Sequence, residues 1–197
     1  MKIGLFFGSF NPIHTGHLLI AEYICNFYAD KVWFIISPQN PLKEKVELLD
    51  VDYRLDLLKT AISNNEKFEI SEIELNLPLP SYTIDTLRNL EKLFPKHDYY
   101  LIMGSDNFVN ITSWKSFDIL LRDYKFFVYQ RPGFEIDRNI TNPNVTIVQA
   151  PLINISSTQI RELIASGKSV RYLLPDAVLE VIQNNQFYLH VIKNKTQ

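Results

Sequence analysis

The chain has 197 residues, a formal net charge of −2, 46% hydrophobic residues and a single cysteine, Cys25. That length and apolar content suit one globular domain with a sizeable core, and the near-neutral charge excludes a general electrostatic grip on nucleic acid, which needs a basic stripe. One cysteine cannot form an intrachain disulfide, which fits a reducing cytoplasm. No apolar run approaches the ~18 residues of a membrane span, and the run behind Lys2 breaks at Gly8, too soon for a secretory signal. The expectation is a cytoplasmic protein with neither nucleic acid nor membrane as partner. It has one domain over 1–190 and a polar tail, 191–197, that frays.

In chain order, short β-branched or aromatic runs alternate with segments of helical period. Ile3–Phe7 reads as a strand and Thr15–Tyr28 as a helix with Leu18, Ala21, Ile24 and Cys25 on one face. Strand Val32–Ser37, helix Tyr53–Asn64, strand Phe68–Ile73 and helix Thr83–Leu93 follow. Next come strand Tyr99–Met103, helix Phe117–Leu121 and strands Lys125–Tyr129 and Val145–Gln149. Helices Ser157–Ser166 and Asp176–Gln183 close the chain, the first stopped by Gly167 and the second entered through Pro175. The pairs Tyr99-Tyr100, Phe126-Phe127 and Phe187-Tyr188 fall in or beside strands, where packing explains them. Nearly all-apolar strands alternating with helices predict a single-domain α/β fold. It is Rossmann-like and doubly wound, with a mostly parallel sheet and helices on both faces. The strand C-termini then share one edge, where such sheets bind ligands.

Five segments follow strands and meet at that edge: GSFNPIHTGH, SPQNPLKEK, GSDNF, QRPG and APLINISSTQIR. In the first, Gly8 allows a tight turn and close backbone approach, Pro12 stiffens the entry to the helix, and Gly16 permits close packing in its first turn. A helix starting near Thr15 aims its free amides and positive dipole end at whatever sits above the sheet. His14 and His17, three apart, can donate to adjacent phosphate oxygens, more strongly if protonated. The pattern is neither a P-loop nor a dinucleotide fingerprint, which tells against an NAD-dependent oxidoreductase. A zinc site lacks a third ligand at a convincing spacing. In ISSTQIR, Ser156 is a natural N-cap, Ser157 and Thr158 add hydroxyls, and Arg161 lies one turn on from Ser157. Plainer alternatives stand beside these: a capped surface helix with a solvated arginine, Asp106 as a helix N-cap, Trp114 as packing, and Arg131 paired to an acidic neighbour.

GSFNPIHTGH together with ISSTQIR resembles the signature pair of the nucleotidyltransferase superfamily marked by its HxGH motif. Within it the chain is similar to the bacterial nicotinate-nucleotide adenylyltransferases. SPQNPLKEK, PSYTIDTL at 80–87, GSDNF, Trp114, RPG at 131–133 and VRYLLPDAVLEVI carry the likeness along most of the chain. The resemblance implies adenylyl transfer from ATP to nicotinate mononucleotide with Mg²⁺, releasing pyrophosphate. It implies His14, His17 and Arg161 as the catalytic groups, and Gly8, Ser9, Phe10, Asp106, Ser157 and Thr158 as further ATP contacts. It places the mononucleotide on Ser9, Lys43, Thr83 and Trp114, with the metal held by substrate phosphates and not by protein ligands. The 5′-phosphate is already a nucleophile, so the site needs positioning and charge neutralisation and no covalent intermediate.

Two departures stand out. Pro41-Leu42-Lys43 replaces the family's usual Pro-His-Lys, with Lys45 an alternative phosphate contact. Lys115 follows Trp114 where the family often has an aromatic residue; it either adds charge at the nicotinate carboxylate or points at water. The rivals are adenylyltransferases for nicotinamide mononucleotide or phosphopantetheine and a non-catalytic nucleotide binder. His14 and PSYTIDTL speak against the phosphopantetheine enzyme. The oligomeric state is not set by these residues.

Overall fold

The computed structural model describes residues 1–38, 48–136 and 142–189. Six strands, β1 (Lys2–Gly8), β2 (Lys31–Ile36), β3 (Phe68–Ser71), β4 (Asp98–Gly104), β5 (Lys125–Tyr129) and β6 (Val145–Val148), form one sheet in the order β3-β2-β1-β4-β5-β6. Every pairing is parallel, and Leu5 in β1 stands opposite Trp33 in β2 and Leu101 in β4. The helices are α1 (Thr15–Phe27), α2 (Val51–Ile62), α3 (Thr83–Leu93), the single turn α4 (Ser105–Phe108), α5 (Phe117–Asp123), α6 (Ser157–Ala165) and α7 (Asp176–Asn184). Successive strands move outward from β1 to β3 on one side and from β4 to β6 on the other. The direction reverses between β1 and β4, so the loops leaving those two strands diverge and open a crevice.

Alternate residues of every strand but β3 feed two separate cores, which is why the central strands read as unbroken apolar runs. Phe6, Val32, Phe34, Ile36, Ile102 and Phe127 pack against α1, α2, α6 and α7. Leu5, Trp33, Ile35, Leu101, Phe126 and Val128 pack on the other face against α3 and α5. Burial of each such side chain stabilises the fold by roughly 1.5–3 kcal/mol. This anchors the strand ends against which the loops are built.

The element boundaries differ from expectation where local hydrogen bonds intervene. β3 ends at Ser71, whose Oγ accepts the Ile73 N–H at 3.4 Å as the chain enters a 3₁₀ turn, Ile73–Asn76. α2 begins two residues early because Asp50 caps it, accepting the Asp52 N–H at 3.0 Å. α4 starts two residues before a helix capped by Asp106 would: its N-cap is Gly104, and Asp106 sits within the turn and does not cap it. Phe187-Tyr188 lies beyond α7, beside no strand. Gly167 ends α6 as expected: with φ 69° it lets Lys168 N–H reach the Leu163 carbonyl and its own N–H reach Ile164, both at 2.9 Å. Among the described residues no helix is long and apolar enough to cross a membrane.

Candidate active site

The loop from Gly8 to His14 leaves β1 at the crevice. Its shape depends on Phe10, whose ring turns back into the core against Phe6, Phe34 and His17 and is 2% exposed. A Cβ on Gly8 would lie 2.9 Å from that ring, so steric room for Phe10 is what glycine supplies there. Phe10 itself adopts φ 44°, a left-handed conformation that is unfavourable for a residue with a side chain. With its side chain committed to packing, Phe10 has only its backbone to offer a ligand.

His14 is the N-cap of α1, and with His17 it forms a reciprocal capping box: each Nδ1 accepts the other residue's backbone N–H at 3.3 Å. The two rings stack with centroids 3.6 Å apart. Gly16 makes this possible, since a Cβ there would come within 3.0 Å of His14 Nδ1 and 3.1 Å of Ile153. Because each Nδ1 is an acceptor, a neutral ring carries its proton on Nε2, which makes Nε2 the donor. Burial, reinforced by the Arg131 charge, lowers the His14 pKa to about 3. His14 is therefore a neutral donor at pH 7. The gain that protonation would bring to such a bond is withheld from His14 by this shift.

A small pocket opens on this pair, lined also by Tyr129, Arg131, Ile153 and Ile155. Arg131 stands at the end of β5, in a turn where Pro132 and Gly133 (φ 81°) occupy the corners and the Phe134 N–H returns to the Arg131 carbonyl at 3.2 Å. The buried Ser105 Oγ accepts the Arg131 N–H at 2.8 Å and so ties the ends of β4 and β5 together. Arg131 Nε lies 3.9 Å from Asp106 Oδ2. Asp106 Oδ1 is buried and has no hydrogen-bond partner among the described residues. Arg131 thus has the expected acidic neighbour and also lines the pocket of the two histidines. Beside it, at the ends of β5 and β6, a larger cavity of about 460 Å³ is lined by Gln130, Ile136, Val148, Ala150 and Leu152.

The N-terminus of α6 closes against the same loop from the far end of the sequence. Ser156 caps it, accepting the Gln159 N–H at 3.2 Å. Ser157 Oγ donates to the Pro12 carbonyl at 2.9 Å. Arg161 is 9% exposed; its Nη1 donates to the Asn11 carbonyl at 2.9 Å, and Nη2 lies 3.5 Å from Thr158 Oγ1. Ser157 and Arg161 therefore brace the loop, while Thr158 is exposed.

The segments that carry Thr83 and Trp114 are joined on the other core face. Tyr82 N-caps α3 without a side-chain cap bond, leaving the Thr83 amide in the open first turn. Trp114, half-buried, packs on the same core face as Ile84 and Leu87. Lys115 joins the two segments: its Nζ donates to Asp85 Oδ2 at 2.8 Å and sits 4.4 Å over the Tyr82 ring. Lys115 makes this bridge while its side chain stays 47% exposed. Ser116 then turns sharply in a left-handed conformation, φ 55°. Beneath Thr83, the buried Glu74 carboxyl accepts hydrogen bonds from Ser81 Oγ at 3.2 Å and Thr86 Oγ1 at 2.8 Å and fixes the loop that leads into α3. Lys43 and Lys45 lie outside the described residues.

Sequence reasoning missed Glu74, Tyr188 and Arg54. Tyr188 OH donates to Asn11 Oδ1 at 2.9 Å from beyond α7, a contact across 177 positions that no spacing announces. Glu74 and Arg54 stand on helical faces where a charge reads as solvated; their burial was the missing information.

A cytidylyltransferase-like family model matches residues 5–163. The chain is 46% identical to a protein of Cytophaga hutchinsonii described as a probable nicotinate-nucleotide adenylyltransferase, over 95% of this chain and 98% of that one. It is 44% identical to a Bacteroides fragilis protein of the same description, over 92% and 90%. Among solved structures, the Plasmodium falciparum nicotinic acid mononucleotide adenylyltransferase in complex with NaAD superimposes with a TM-score of 0.83 at 22% identity. That match covers 95% of this chain and 97% of that one and speaks for the fold. The chain belongs to the cytidylyltransferase-like family and, within it, to the nicotinate-nucleotide adenylyltransferases.

Proposed function

We infer that this enzyme transfers the adenylyl group of ATP to nicotinate mononucleotide, giving nicotinate adenine dinucleotide and pyrophosphate. The observation that carries the reading is the stacked His14–His17 pair, locked by its capping box at the β1–β4 crevice beneath Arg131. Two Nε2 donors on a helix N-terminus, with a guanidinium opposite, suit a polyphosphate and suit no uncharged ligand as well.

Catalysis on this arrangement is a matter of alignment and charge. The mononucleotide phosphate attacks the α-phosphorus in line, its oxygen forms the new P–O bond, and the electron pair of the breaking bond leaves with pyrophosphate. His14 and His17 donate to the phosphates between which that bond breaks, and Arg131 adds charge from the β5 turn. Gly8, Ser9 and Phe10 present backbone to both nucleotides, while Ser157, Thr158 and Arg161 hold the triphosphate side of the loop. The adenosine lies toward Asp106. The pyridine ring stacks on Trp114, with its carboxylate at the Thr83 amide and Lys43 assigned to its phosphate.

Nucleotidyltransferases of this family generally use a divalent metal, and Mg²⁺ fits this donor set when it arrives on the triphosphate. The buried Asp106 Oδ1, without a hydrogen-bond partner among the described residues, is the oxygen suited to receive its hydration shell. When bound, the ion neutralises charge on the departing pyrophosphate. A cytoplasmic location and the absence of a nucleic-acid or membrane partner belong to this same proposal. The test is turnover of ATP chirally labelled with sulfur at the α-phosphorus. Nicotinate adenine dinucleotide with inverted configuration is expected, and retention or the absence of that product contradicts the reading.

A further inference from the structure

Arg54, on α2, belongs to no motif that points to the site, and it is 1% exposed. Its guanidinium donates to four main-chain carbonyls: Nη1 to Ser9 at 2.7 Å and to Ser37 at 2.9 Å, Nη2 to Pro38 at 3.1 Å, and Nε to Leu49 at 2.8 Å. The partners are all carbonyls; Asp50 and Tyr188 act on it through space. A buried cation solvated only by peptide dipoles is costly, and a lysine could not reproduce its planar fork.

These carbonyls leave the ends of β1 and β2 and the entry to α2, so one side chain gathers three segments at the sheet edge. In a trans peptide the N–H points away from the C=O. Drawing the Ser9 carbonyl onto Arg54 turns the Phe10 N–H to the opposite side. Ser157 Oγ, bonded to the Pro12 carbonyl, does the same for the Ile13 N–H. Among the described residues neither N–H has a hydrogen-bond partner, although Phe10 is 2% and Ile13 0% exposed. The left-handed φ of Phe10 is the conformation such a turn imposes, and it must be held from both sides to persist.

We propose that Arg54 is a positioning residue for phosphate binding: it pins the Ser9 carbonyl inward so that the Phe10 amide meets a phosphate oxygen. The same grip on Ser37 and Pro38 fixes the start of the segment after β2 relative to that amide. This rests on the reading of the β1–α1 loop as a phosphate site and not on which acceptor the enzyme uses.

The test begins with the wild-type chain, ¹⁵N-labelled and titrated with a non-hydrolysable ATP analogue and Mg²⁺. The Phe10 amide resonance is expected to shift along with those of His14 and His17. Arg54→Lys should lower kcat by about 100-fold with the acceptor KM within about threefold, and it should abolish the Phe10 shift. Methylguanidine added to Arg54→Ala should restore part of kcat, which a purely structural role would not predict. If both variants fail to fold, the wild-type titration decides. Movement of His14 and His17 with Phe10 unmoved overturns the proposal and leaves the phosphate site standing. No movement at any of the three overturns both. Arg54→Lys with kcat within about threefold of wild type also overturns the role of Arg54.

Discussion

Around the β1–α1 loop the groups that hold the shape are buried and multiply bonded, whereas around the start of α3 they are half open to water. Arg54 and Arg161 are 1% and 9% exposed and reach the loop through main-chain carbonyls. The side chains of the Lys115–Asp85 pair, by contrast, are 47% and 40% exposed. The first region is pre-organised, which is what transition-state charge stabilisation requires, because donors that need no rearrangement lose nothing at the moment of reaction. At its surface the second is held by an ion pair of the kind worth about 0–1 kcal/mol, above the buried Glu74 carboxyl and its Ser81 and Thr86 partners. Chemistry and acceptor choice are thus assigned to regions of different stiffness, and each variant below should act through one of them.

The largest effect is expected in the stiff region. His17→Ala removes the phosphate donor proposed above and should lower kcat by roughly 10²–10³-fold. Loss of its half of the capping box should cost only about 1 kcal/mol in urea denaturation. Parallel collapse of stability and activity would make the pair a structural cap and erase the contrast between the regions. Next comes Glu74→Ala, which takes the acceptor from the Ser81 hydroxyl, leaves Thr86 Oγ1 only the Tyr82 carbonyl at 3.3 Å, and should destabilise by about 1–3 kcal/mol. It should raise KM for the mononucleotide while leaving KM for ATP in place; equal rises in both would mean that the two regions are not mechanically separate.

Acidification probes the stiff region again. The His14 pKa is lowered from 6.5 to about 3, so the unfolded chain binds that proton first as pH falls. The stability that neutral His14 supports is complete above 6.5 and is lost progressively between 6.5 and 3, by up to about 1.4 kcal/mol per pH unit. Denaturation midpoints should therefore fall more steeply between pH 7 and 5 in the wild type than in His14→Asn, and matching slopes would refute the shift. The smallest effect belongs to Lys115→Gln. Stability should change by less than about 1 kcal/mol, and the preference for the nicotinate over the nicotinamide mononucleotide should narrow by about tenfold or less. An unchanged ratio would leave Lys115 as a tether alone.

The same contrast governs what was legible in the sequence. The parallel sheet could be read because the central strands are apolar on both faces, and Gly167 and Ser156 announced the ends of α6 through backbone geometry that few residues satisfy. His14, Gly16 and His17 were legible because a helix start with stacked rings and no room for a Cβ leaves few residue choices. The protonation of His14 was not legible, since burial sets it and no pattern of residue types encodes burial. Arg54 and Glu74 were hidden for the same reason: on a helix, a charged residue reads as solvated until tertiary packing covers it. Tyr188 was hidden by distance along the chain, and the one-turn helix at Ser105 was too short to have a period.

The most direct measurement is pyrophosphate release with ATP and Mg²⁺, comparing nicotinate mononucleotide, nicotinamide mononucleotide and phosphopantetheine side by side. The account predicts rapid release with the nicotinate substrate, slower release with its amide and none with phosphopantetheine. Binding of ATP without release for any of the three would contradict it and leave the crevice as a nucleotide-binding site without this chemistry.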